Sequence, residues 1–145
     1  MTSSKYNGDD YLNKIEIIRN YLTDKRYNVI REKVEIFPLE VRNKNFIYYE
    51  SHLRLKLKKD FDRKILEKLC EINNFHSSKN LFKSDEEYNY QMITYRDYHS
   101  ELCDFKLKID RVVNELNRLN IAYDKIEIEE CVYDSNISID KKWLN

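Results

Sequence analysis

A single glycine (Gly8), a single proline (Pro38) and a single alanine (Ala122) leave this 145-residue chain almost without backbone punctuation. The ribonucleoprotein signature, which needs a basic residue, Gly, an aromatic and Gly again, is therefore absent. Cysteine is scarce too. Cys70, Cys103 and Cys131 are odd in number and lack metal-site spacing, which predicts reduced, mostly buried thiols in a cytosolic or nuclear protein. No long apolar run and no signal-peptide core is present, so a spanning or secreted chain finds no support and a cytoplasmic one is expected. An excess of one charge is also missing. The 26 basic residues balance 26 acidic ones, so no long-range field draws the chain to nucleic acid or anionic membrane.

What is present suits a globular domain with a heavily charged surface, since 41% of residues are hydrophobic and 36% charged. Residues 1–9 are polar, contain the only Gly and show no periodicity, which predicts a disordered tail, and the length suits a single α+β domain over 10–145. The wealth of Lys, Asn, Ile and Tyr marks an AT-rich genome, so single surface Lys and Asn residues carry little functional weight.

From Asp10, an expected N-cap, Leu12, Ile15, Ile18 and Leu22 recur at helical spacing. Val29 to Phe37 reads as a strand stopped by Pro38. In the next strand Ile47, Tyr49, Ser51, Leu53, Leu55 and Leu57 share one face, and Tyr48, Glu50, His52, Arg54 and Lys56 the other. Asp60 starts a helix with Phe61, Ile65, Leu66 and Leu69 inward. A short strand near Phe75 to Phe82, the acidic turn Asp85-Glu86-Glu87 and a strand from Tyr90 to Tyr98 follow. The helix Phe105 to Leu119 carries Ile109, Val112, Val113, Leu116 and Leu119 on one stripe. The last strand, Ile121 to Tyr133, turns Ile126, Ile128 and Val132 inward, and an irregular tail follows from Asp134.

This order is helix–strand and then β-α-β twice, with Tyr48 to Arg54 matching Tyr90 to Arg96 by pattern. Two such units without long crossovers predict a ferredoxin-like fold: an antiparallel sheet with helices on one face, plus an extra N-terminal helix–strand. The first and third strands of the duplicated core are then central neighbours.

Duplication pairs His52-x-Arg54 with Thr94-x-Arg96, and the four side chains are expected to converge on one patch. Two guanidiniums there suit a phosphate or carboxylate. His76, Ser78 and Asn80 border the patch. The plainer reading is a solvated or dimer-facing sheet surface, with Arg paired to Glu50, Glu127 and Glu129. No Ser or Cys sits in a recognisable elbow with His, so no catalytic set, metal or cofactor is expected. Two-histidine phosphoesterases place a second His where Thr94 stands. The triphosphate-tunnel pattern is poorly imitated by Arg31-Glu32-Lys33-Val34-Glu35. Asp134 to Asp140 spaces oxygen ligands like a calcium loop, but Ile139 and Asn145 stand where Gly and Glu are needed. A turn capped by Asp134 and Asn136, with Trp143 folding back, is expected instead. Twelve Tyr and six Phe raise base stacking, yet Glu127 and Glu129 share the exposed face, so core and interface packing is the expected use.

Through His52-x-Arg54, His76-Ser77-x-x-Asn80, Thr94-Tyr95-Arg96 and Glu129-x-x-Val132-Tyr133-Asp134-Ser135-Asn136-x-x-x-Asp140-x-x-Trp143, the chain resembles a family of small proteins from bacteria and large DNA viruses. The resemblance covers roughly Ile15 to Leu144 and brings no assigned activity. It implies a ferredoxin-like fold, a polar ligand site built from those motif residues, and a virion component. The first expectation is thus a non-enzymatic binding or assembly protein, homodimeric through a sheet face or edge. The second is an enzyme or sensor of a phosphorylated small molecule at paired arginines, and the third a nucleic-acid-binding module.

Overall fold

The computed structural model describes residues 10–78 and 83–140. The expected tail, Asn80 and Trp143 lie outside them. The described chain is α+β, with helices α1 (Tyr11–Asp24), α2 (Arg63–Asn73) and α3 (Leu102–Arg118) and a short 3-10 helix, Ile137–Asp140. Its strands are β1 (Lys33–Ile36), β2 (Tyr48–Lys58), β3 (His76–Ser77), β4 (Lys83–Ser84), β5 (Tyr88–Asp97) and β6 (Ala122–Asp134). They form one antiparallel sheet in the order β1-β6-β2-β5-β3, with β4 also on β5. Among these residues no helix is long and apolar enough to cross a membrane.

Strict alternation along β2 builds the core. Tyr49, Leu53, Leu55 and Leu57 point to one face and are covered by Leu66, Leu69 and Cys70 of α2 and by Phe105, Ile109, Val112 and Leu116 of α3. Ile93 of β5 joins them from the neighbouring strand. Both helices therefore lie on one side of the sheet.

Several expectations are corrected. The first strand shrinks to β1, because Ile30 to Glu32 bond instead to the turn after β6: Asn136 Nδ2 donates to Ile30 O, and Glu32 exchanges bonds with Ser135. The α1 stripe buries no residue. Asp10 caps no backbone amide; its carboxylate takes the Asn13 side chain instead. α2 begins at Asp62, whose carboxylate accepts Lys64 N–H at 3.0 Å, rather than at Asp60. Ile65, Leu119 and Ile126 sit at the margins of the core and are exposed, Ile65 to 41%.

With no glycine at their ends, all three helices stop on residues in the left-handed region: Arg26 (φ 63°), Asn74 (φ 59°) and Asn120 (φ 54°). The next residue in each case, Tyr27, Phe75 or Ile121, donates its N–H five residues back, to Leu22, Cys70 or Leu116. This is the Schellman closure, and its apolar residue is buried at Phe75 and Ile121.

Candidate functional site

The face of the sheet turned away from α2 and α3 carries the polar alternates. His52 and Thr94 are direct cross-strand partners, and His76 flanks Thr94 from β3. The His52 ring Nδ1 lies 2.9 Å from Thr94 Oγ1. Opposite Glu50 stand Arg96 on β5 and Glu129 on β6.

These positions converge on an ionic cluster. The Arg96 side chain is 2% exposed; it donates to Glu50 Oε1 at 2.5 and 2.8 Å and to Asp140 Oδ2 at 2.8 Å. Its guanidinium carbon lies 4.1 Å from the Tyr48 ring centroid. Arg31 pairs with Asp134 at 2.5 Å and Asp140 at 2.7 Å, and the Tyr48 hydroxyl donates to Asp134 at 2.8 Å. Lys33 bridges Glu35 and Glu50. A bulge explains why Asp134 faces this cluster and Tyr133 does not. Val34 pairs with Tyr133 and Glu35 with Cys131, so Val132 is unmatched and the alternation of β6 reverses there.

Burial opposes ionisation of Glu50, but His52, Lys33 and Arg96 around it hold its carboxyl well below the usual range. Burial likewise works against a charged His52, and the Glu50 and Glu129 carboxylates override it, raising the imidazole. Desolvation, with Glu35 alongside, pushes Glu129 up to about 7. Ionisable groups driven apart in this way by burial and specific partners are characteristic of functional sites, though ion-pair networks produce them too.

His52, Thr94, Arg96, Glu129, Asp134 and Asp140 are thus brought together from three distant stretches of sequence. The expected pairing of two arginines is not. Antiparallel register places Arg96 opposite Glu50 and Arg54 opposite Met92, about 13 Å apart along the strands. Arg54 instead pairs with Asp124 at 2.6 and 3.0 Å, the unmatched residue of a second register shift. Tyr133 turns to Glu32, which Arg19 of α1 grips at 2.6 and 2.8 Å. Asn136 serves the turn: its backbone N–H donates to Asp134 Oδ1, and its side-chain amide donates to Ile30 O. Arg31, Lys33, Glu35, Tyr48 and Glu50 were missed as site residues. A signal for Arg31, Lys33 and Glu35 was present in their alternate charges, and Tyr48 and Glu50 share the polar alternation of β2 with His52.

A second feature lies outside the sheet–helix body. Phe37 is 88% exposed and Val41 82%; Leu39, Leu12, Ile17, Tyr21, Tyr27 and Ile30 are also exposed. Eight of the large apolar side chains left in solvent thus fall within residues 12–41.

Comparisons with protein-family models, with curated proteins and with solved structures each return no match to this chain.

Proposed function

We propose that this chain is a non-enzymatic binding and assembly module that pairs with a second copy of itself through the apolar surface of α1 and residues 37–41. The exposed set from Leu12 to Val41 carries this reading, because eight large apolar side chains stand in solvent within residues 12–41, and apolar surface exposed beyond scattered single residues marks interaction sites. Fully burying Phe37, Leu39 and Val41 yields roughly 1.5–3 kcal/mol each. That sum reaches only the lower part of the roughly 4–15 kcal/mol cost of association. The α1 residues Leu12, Ile17 and Tyr21 must therefore contribute, and the dimer is concentration-dependent. Balanced charge, 26 against 26, favours a second copy because no net repulsion opposes it.

Strand addition is the poorer route. β1 is four residues long, bears Lys33 and Glu35, has an irregular register and runs into Pro38; β3 and β4 are two residues each. Such edges resist pairing. The core itself is proposed to be ferredoxin-like, β2-α2-β3 and β5-α3-β6 forming the two β-α-β units; the order β6-β2-β5-β3 supports this. An assembly role also accords with the resemblance to large-virus proteins and with a location in the virion or the host cytoplasm. Phosphate-ligand binding at paired arginines loses its support once Arg54 and Arg96 diverge.

Sedimentation velocity of the wild type against Phe37→Ser/Val41→Ser tests the interface. A dimer that becomes a monomer with an unchanged melting temperature supports it; equal oligomerisation of both proteins rules this surface out.

A further inference from the structure

Three permanent cations, Arg31, Lys33 and Arg96, face five carboxylates: Glu35, Glu50, Glu129, Asp134 and Asp140. The carboxylates outnumber these cations, and carboxylates withdrawn from water need compensation. Arg31 holds Asp134 and Asp140, and Arg96 holds Asp140 and Glu50 Oε1, which leaves Glu50 Oε2 to Lys33 and His52 with Glu35 and Glu129 alongside. One donor atom each from Glu35, Glu50 and His52 lies within 4.8 Å of the others. His52 Nε2 stands 3.4 Å from Glu50 Oε2 and 3.7 Å from Glu129 Oε2. A tetrahedral ion with bonds of about 2.1 Å has ligand–ligand edges of about 3.4 Å. The other ring nitrogen is engaged by Thr94, the outer contact that aims a ligating imidazole. A cation already marks the spot, since the Lys33 ammonium bridges Glu35 and Glu50.

We propose that Glu35, Glu50 and His52, with Glu129 beside them, form a binding site for a divalent first-row transition-metal ion of the zinc class, which displaces the Lys33 ammonium. The imidazole selects such an ion over magnesium or calcium, whose sites are built from oxygen alone. Sequence spacing does not show the site because its donors come from β1, β2 and β6. The site is independent of the dimer reading, as its ligands all lie in one chain.

Isothermal titration of the untagged full-length chain with zinc chloride tests it. One ion per chain is expected, with affinity falling at least about tenfold in His52→Ala and in Glu35→Gln and rising about tenfold in Lys33→Met. Glu50→Gln is a poor probe, because Glu50 also holds Arg96. The melting temperature of each ion-free variant checks its folding; Glu35 sits on the edge strand, so Glu35→Gln reads the site should His52→Ala unfold. No saturable binding by the wild type overturns the proposal, whatever Lys33→Met does. Binding that survives both ligand substitutions, or that weakens in Lys33→Met, overturns it too.

Discussion

At the scale of single residues, the charge cluster is an all-or-none arrangement. Arg96 is enclosed by Glu50, Asp140 and the Tyr48 ring, so Arg96→Met takes a cation from two buried carboxylates and leaves Glu50 to Lys33 and Asp140 to Arg31. Losing one partner of a buried ion pair costs about 3–5 kcal/mol, and urea denaturation of Arg96→Met should show a loss of that size. A loss under about 1 kcal/mol would mean that water reaches the cluster and screens it. Asp97 gives a pH-dependent prediction. Burial opposes its ionisation, but the amides of Ser100 and His99 and the hydroxyls of Ser100 and Tyr95 outweigh it, holding the carboxyl down at about 2. A folded-state value below the unfolded one gives stability that is complete above about pH 4 and lost as pH falls through about 2. Asp97→Asn should remove that part of the acid sensitivity, read by thermal melts from pH 5 to 2; an unchanged profile would contradict the assignment. The motif residues of the cluster were legible as polar groups on alternating strands, but their partners were not. Register decides whether Arg96 meets Glu50 or Arg54, and one unmatched residue, Val132, decides whether Tyr133 or Asp134 turns inward. Neither is written in local periodicity.

At the scale of elements, strong alternation was readable and weak amphipathicity misled. β2, β5 and α3 lie close to where their apolar periods place them, because their patterns coincide with real burial. α1 has the same kind of stripe, yet Ile15, Ile18 and Leu22 are only half-buried and Leu12 is exposed. Helix ends were the least legible, as the usual glycine signal is absent. Asn120 holds a left-handed backbone at the end of α3, where a Cβ costs roughly 1–2 kcal/mol and Asn offsets part of it. Asn120→Ala should therefore lower stability by about 1 kcal/mol while Asn120→Gly holds or raises it, as chemical denaturation would report. Equal effects of the two substitutions would show that the turn does not depend on the left-handed residue.

At the scale of the whole molecule, the α+β class followed from the order of elements, while the two features that bear on function required the fold. One is the cluster assembled from β1, β2, β5, β6 and the turn after β6. The other is the apolar surface left over when the core closed without α1. Composition hid that surface, because Phe37, Leu39 and Val41 look like ordinary core residues until Pro38 and the edge of the sheet strand them outside. The central claim is that this surface joins two copies. Light scattering of the full-length chain over a wide concentration range tests it most directly: the account predicts a mass rising from that of the 17.8 kDa chain to twice that value. A mass that stays at one chain throughout would contradict it.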